Sequence, residues 1–320
     1  MATVGNDMTN GENSRIDIHA DDYALTINTS SQMIELMNAG VLDSISIVPN
    51  SDCYETCINM LKEAIPGLPF LPEMSVHLNL VEGYSLSDHD RSLIGSTWKS
   101  LFLDSFRIFH RKNIKQKLIG EISEQIKVCS GSIRDCIKIA EDNGISCNQK
   151  GVRIDSHQHS HMIPIVWSAL MTCIDRDGID VEYIRNSREP LGPFISMRSL
   201  WKTYRFVNLI KNRILYVLSA KCDRYDKEKG CEPMYLWGLV MSGRMDVKRI
   251  RRLFPHLRKK AQEDGRRLEI LFHPGRMKES EMWPGIPRSS AYDFYLSVNR
   301  DLEKEGARRA KDMKLDSDNR

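Results

Sequence analysis

The chain has 320 residues, 46 of them basic and 43 acidic, for a formal net charge of +3. That near balance gives the chain as a whole no case for nucleic-acid or membrane affinity, and 41% hydrophobic content suffices for a large core. With no apolar run of membrane-spanning length, no apolar leader, and eight scattered cysteines lacking a CxxC pair, a cytoplasmic protein with reduced thiols is expected.

Residues 1–14 are polar and predicted disordered. An extended apolar run over 16–20 leads into Asp21 and Asp22, and a helix is predicted over 28–38, with Gly40 in the stop position. Residues 44–48 read as a strand ended by Pro49-Asn50, and 52–64 as a helix. Over 75–80 the chain alternates, Val76, Leu78 and Leu80 opposite His77 and Asn79, as in a strand with one polar face. A loop-like stretch over 81–100 precedes a long helix over 114–141. A strand over 152–155 runs into Asp155-Ser156-His157-Gln158-His159-Ser160-His161, and Pro164 opens the next helix. Residues 180–184 form a strand ending at Arg185, and 194–230 are basic and mostly helical. A helix over 247–264 is followed by a strand over 268–272, broken by His273-Pro274-Gly275. A last helix around 292–310 runs into a charged tail, 311–320, predicted to fray. Strand–helix alternation through the whole length predicts an α/β fold with a predominantly parallel sheet and a single domain over 15–310.

Asp21-Asp22, His77, His157, Arg185 and His273 each fall on, or just past, the C-terminal end of a predicted strand. In parallel α/β folds that edge is where sites are built. Adjacent carboxylates repel, so the Asp pair needs a compensating positive charge or a shared proton; a turn or a helix cap is the bland alternative. Beside a histidine cluster it reads as one metal ligand and one base. On an extended chain His157, His159 and His161 all face one side, whereas a helical turn stacks only His157 and His161. Asp155 is placed to hydrogen-bond a histidine's second nitrogen. Two histidines and a carboxylate leave open positions on a divalent ion, which polarises a carbonyl and acidifies water. His273 then protonates the leaving group or orients the substrate. The chemistry is metal-assisted hydrolysis, with an amide or ester as the natural substrate class.

These motifs resemble those of the YdjC-like carbohydrate deacetylases, the group that includes the chitooligosaccharide deacetylases. The carrying residues are His19-Ala20-Asp21-Asp22-Tyr23, Ser75-Val76-His77-Leu78-Asn79-Leu80, the histidine cluster followed by Pro164, and His273-Pro274-Gly275. Two departures are visible. Tyr23-Ala24 stands where the family has Phe-Gly, and Ser75 replaces a glycine before His77. The resemblance implies a barrel-like (β/α) fold of polysaccharide-deacetylase type with one divalent ion, Mg2+ before Zn2+. It implies Asp21 as proton acceptor and Asp22, His77 and His157 as metal ligands. It also puts His159, His161 and His273 on the substrate side, and Arg185 is counted there as well.

The expected activity is removal of acetyl groups from N-acetylated sugars, N-acetylglucosamine oligosaccharides above all, with Asp21 and His273 as the catalytic pair. The expected partner is the acetylated oligosaccharide, with neither nucleic acid nor membrane; a homodimer is implied by resemblance alone. The rivals are another metallohydrolase, an esterase or a two-metal phosphoesterase with His159 and His161 as spare ligands, and an idle carbohydrate- or protein-binding module. Trp237 and Trp283 are weak candidates for sugar stacking.

Overall fold

The computed structural model describes residues 16–87, 97–107, 111–283, 286 and 294–318. Residues 1–14, predicted disordered, lie outside the described residues, as do parts of the 81–111 segment and the start of the last predicted helix. Seven strands form one parallel sheet: β1 (Ile16–Tyr23), β2 (Ser44–Ile47), β3 (Glu73–Leu78), β4 (Val152–Ser156), β5 (Val181–Ile184), β6 (Met234–Trp237) and β7 (Arg267–Phe272). Their order is β5-β4-β3-β2-β1-β7-β6, a curled half-barrel with β5 and β6 as its edges. The expected α/β, barrel-like architecture is present, and β6 is a strand that the sequence pattern did not announce.

The helices are α1 (Ile27–Asn38), α2 (Tyr54–Ala64), α3 (Trp98–Asp104), α4 (Arg111–Asp142), α5 (Pro164–Asp177), α6 (Gly192–Ser196), α7 (Phe206–Leu218), α8 (Ala220–Lys229), α9 (Val247–Glu263) and α10 (Asn299–Asp318). Local signals set many ends. Thr26 caps α1 by accepting from the Thr29 amide at 3.2 Å, and Pro164 occupies the first turn of α5. The last helix is displaced from its expected span, and the tail expected to fray is helical through Asp318. Lys311 and Lys314 fasten it by pairing with Asp43 at 3.0 and 2.9 Å. No helix among the described residues is long and apolar enough to cross a membrane.

Strand alternation divides the sheet chemically. Ile16, Ile18, Ile45, Met74, Val76, Ile154, Leu268 and Ile270 join the hydrophobic core with the helices. The alternate positions, Asp17, His19, Ser44, Ser46, Ser75, His77, Arg153, Asp155 and Glu269, are buried and polar. Burying such groups costs several kcal/mol apiece unless each is partnered, so this face survives only as a network of ion pairs and hydrogen bonds. The candidate site lies where that network meets the C-terminal edge of the sheet.

Candidate active site

β1 creates the site by breaking its own alternation. Asp21 shares a face with Asp17 and His19, so Asp22 should point the other way. Instead Asp22 has φ of 71°, and the β1–β2 register shifts between Ala20 and Tyr23. Both carboxylates consequently reach the His77 ring: Nε2 lies 3.7 Å from Asp22 Oδ1, and Nδ1 3.9 Å from Asp21 Oδ1. A left-handed conformation costs a non-glycine residue on the order of 1–2 kcal/mol, strain of the kind that collects at functional sites. Ala24, standing where the resembled family has glycine, also has positive φ, 66°. Ala24→Gly is therefore expected to raise the unfolding free energy by about 1 kcal/mol. Urea denaturation would show it, and a lowered midpoint would mean that the strain is not there.

The histidine cluster is neither extended nor helical. Gln158 and His159 adopt φ of 54° and 58° inside a short 3-10 turn, His157–Met162, so the three rings diverge. The His157 ring turns to Asp22, its Nδ1 3.3 Å from Oδ1. His159 faces a cavity of about 310 Å³ that Asp21, Glu82, Lys211, His273 and Tyr295 also line, and its Nδ1 meets Ser187 Oγ at 3.1 Å. His161 is different. Its Nδ1 lies 2.5 Å from Ser156 Oγ and its Nε2 2.8 Å from the Arg185 carbonyl, with no exposed surface. Expected on the substrate side, it instead ties β4 to the chain leaving β5, because both ring nitrogens are already used.

Arg185 requires the same correction. It is fully buried and makes no part of the cavity wall. Its guanidinium holds Asp21 through both oxygens, at 2.9 and 3.0 Å, and reaches Asp155 at 2.8 Å and Glu269 at 2.6 Å. Burial pushes the Asp21 carboxyl up, but Arg185 and His77 outweigh it and hold Asp21 well below the usual carboxylate range. Asp21 also accepts from His19 Nε2 at 3.0 Å. A carboxylate so fastened is ionised and fixed in direction.

Two buried atoms nearby, His77 Nε2 and Asp22 Oδ1, have no hydrogen-bond partner, and His157 Nδ1 faces the second of them. His77 Nδ1 meets Asp155 Oδ1 at 2.6 Å, which leaves Nε2 buried and unpartnered. His157 Nε2 meets Tyr295 Oη at 2.8 Å, and Tyr295 Oη in turn donates to Glu82 Oε2 at 2.7 Å. This relay puts the His157 proton on Nε2 and leaves the Nδ1 lone pair facing Asp22 Oδ1, itself unpartnered. Arg300, from α10, fixes the other oxygen of Asp22 with two nitrogens at 3.1 Å each. The facing atoms of Asp22, His77 and His157 all lie within 4.8 Å of one another. Three buried electron-pair donors aimed together are costly without a cation between them, so the residues fit a divalent ion. Asp155, expected to orient a histidine, orients His77.

In the absence of a cation a proton takes its place. Burial disfavours the charged His157 ring, yet Glu82 and Asp22 push its pKa up to about 10. An arriving ion must displace that proton, so metal affinity is expected to rise about tenfold per pH unit between about pH 6 and 8. Calorimetry in buffers of different ionisation enthalpy counts the released proton, and a count of zero would remove His157 from the ligand set. His159 behaves oppositely: burial first, then Lys211 and Arg185, hold it well below the ordinary histidine value and keep it neutral. Burial likewise lowers His161 to about 4.

Two further groups, Asp17–His19–Glu269 and His19–Asp21–Asp155, lie deeper among the strands. They already contain their compensating charge: Arg185 pairs with Glu269, Asp21 and Asp155, and Arg153 lies 3.7 Å from Asp17. Ser44 and Ser46 complete them with hydrogen bonds to Asp17 and Asp155. With His161 spent as well, His159 alone of the two expected spare ligands faces the cavity.

His273 lines the cavity, its Nδ1 3.5 Å from Glu303 and its ring edge-on to Phe294. The His-Pro-Gly motif has a second use. Gly275, with φ of 82°, accepts from Arg300 Nε at 2.9 Å and so anchors the arginine that holds Asp22. Trp237 is fully buried, and Trp283 is packed against Tyr84, so neither presents a stacking face. Glu82, Tyr295, Arg300 and Glu303 carried no readable signal in sequence. Arg300 lies 278 residues from the carboxylate it serves, and only the fold brings α10 to β1.

The model of the YdjC-like protein family matches residues 15–315. A carbohydrate deacetylase from Oceanobacillus iheyensis is 26% identical over 160 residues, which make up 50% of this chain and 59% of that protein. The matched stretch thus spans less than two thirds of the relative. A solved structure from Enterococcus faecalis V583, named for cellobiose-phosphate cleavage, covers 92% of this chain and 95% of its own at 15% identity. The TM-score of that pair is 0.46.

Proposed function

The chain belongs to the YdjC-like protein family, and from that premise we propose that it is a metal-dependent deacetylase of N-acetylated carbohydrates, N-acetylglucosamine oligosaccharides being the first substrates to test. The observation that carries the reading is the convergence of unpartnered Asp22 Oδ1 and His77 Nε2 with His157 Nδ1, next to an ionised Asp21 on a cavity wall.

Asp22, His77 and His157 would hold the ion. When bound, it supplies Lewis acidity, polarising an acyl carbonyl and lowering the pKa of water. Asp21, aimed by Arg185 and His19, accepts the proton of the attacking water. His273, whose backbone N–H is held by Glu303, returns a proton to the leaving amine. His159 stays neutral and serves as a hydrogen-bonding wall, since Lys211 and Arg185 oppose a charged ring there. The resemblance favours Mg2+. The donor set of two imidazoles and one carboxylate favours a transition ion such as Zn2+, because Mg2+ prefers oxygen ligands. The eight free cysteines suit a reducing compartment, which supports a cytoplasmic location.

The decisive assay incubates purified protein with N-acetylglucosamine oligosaccharides and measures acetate, with and without chelator. Release that chelator abolishes and added ion restores is the expected result. Full metal occupancy without turnover of any acetylated sugar would overturn the reading.

A further inference from the structure

The near-neutral net charge conceals a strongly biased segment. Between Glu189 and Asp223 the chain has no acidic residue and six basic ones, Arg198, Lys202, Arg205, Lys211, Arg213 and Lys221. Among the described residues none of the six pairs with a carboxylate. Arg198, Lys202, Arg205 and Arg213 are exposed. Arg252 of helix α9 and Arg244 of the turn before it add two more cations to this face: Arg252 donates to Ser199 Oγ at 2.9 Å, and Arg244 to the Thr203 carbonyl at 2.8 Å.

The same segment exposes apolar surface. On α7, Phe206, Val207, Ile210, Ile214 and Val217 are 76, 64, 46, 37 and 70% exposed. Their spacing places them within about 100° of helix circumference, the arc a soluble helix normally turns inward. Here the buried side is the opposite one, with Asn212 and Leu215. The apolar surface continues through exposed Ile195 and Trp201 along a groove of about 430 Å³ lined also by Phe194, Tyr204 and Leu209. Arg198 lies over the Trp201 ring, 6.0 Å from its centroid.

We propose that this face docks the protein peripherally on an anionic lipid surface. An apolar helical stripe flanked by unpaired arginine and lysine, with tryptophan, tyrosine and phenylalanine beside it, is the composition that seats at a headgroup boundary. A second copy is the poorer occupant, since a twofold contact would set four exposed cations, none of them paired with a carboxylate, against four more. The balanced charge that argues against a membrane partner for the whole chain does not describe this face. Asn208 and Lys211, on the inner side of α7, line the catalytic cavity. Docking therefore holds that cavity about one helix diameter, roughly 10 Å, from the headgroups.

The test uses the full chain and vesicle co-sedimentation, so its readout does not depend on the proposed hydrolysis. Binding to phosphatidylcholine vesicles with about 30% phosphatidylserine should exceed binding to pure phosphatidylcholine at least tenfold at about 0.1 M salt, and weaken strongly at about 0.5 M. Val207→Asp with Val217→Asp, and separately Arg198→Glu with Lys202→Glu and Arg205→Glu, should each cost tenfold or more with unchanged circular dichroism. No sedimentation with either vesicle, equal binding to both, or variants that bind like the wild type would each overturn the proposal. So would a wild-type dimer that the Val207→Asp, Val217→Asp pair dissolves while no vesicle binds.

Discussion

Asp22→Ala is expected to retain less than about a tenth of the bound divalent metal and to lose turnover about a thousandfold, whereas Asp21→Asn loses comparable turnover and keeps its metal. The two neighbours differ because their oxygens have different partners. Asp22 Oδ1 is free and faces His77 and His157, while Arg300 fixes Oδ2. Both oxygens of Asp21 are held by Arg185, so its remaining lone pairs are left for a proton. Metal analysis after dialysis, run beside the acetate assay, separates the roles, and equal metal loss in both variants would merge them. Asp22→Ala carries a second cost: it strands the buried Arg300 guanidinium, and losing one partner of a buried pair costs about 3–5 kcal/mol. Asp22→Asn should lose metal with a smaller drop in the urea midpoint.

Arg185→Met is expected to destabilise the fold by about 3–5 kcal/mol and to raise the pH at which activity is lost to acid. Three buried carboxylates, Asp21, Asp155 and Glu269, depend on this guanidinium, and methionine replaces its volume without its charge. The sign of the pH effect follows from Asp21. In the wild type its pKa is held well below the usual range, so the base stays ionised down to low pH. Without Arg185 burial dominates, the pKa rises, and the carboxylate protonates at higher pH. The acid limb of the rate profile should therefore move upward, while metal content stays near that of the wild type at neutral pH. An unchanged acid limb in a folded variant would show that Arg185 does not tune the base. If Arg185 bound substrate instead, KM would rise with the limb unmoved.

Local chemistry made much of the fold readable. Alternation over 75–80 located β3, Pro164 opened α5, and repeated strand–helix alternation marked a parallel sheet, because these signals act within a few residues. Short β6 carries no such signal: Met234 to Trp237 is apolar throughout, and four such residues fit a strand or a loop equally well. The C-terminal tail reads as frayed in sequence because Lys311 and Lys314 look solvated until Asp43, far away in sequence, is placed beside them.

Local pattern is enough to say which residue types meet: the Asp pair, His77, the cluster and His273 all end strands of a parallel sheet, and that topology gathers strand ends at one edge. What each of them does depends on packing. Whether a histidine offers a lone pair depends on what its other nitrogen binds, so His157, turned by two left-handed residues, faces Asp22 while His161 is consumed by Ser156 and the Arg185 carbonyl. Whether an arginine reaches substrate depends on burial, and Arg185 is enclosed by carboxylates. Both are long-range properties, set by packing between elements that no local pattern encodes.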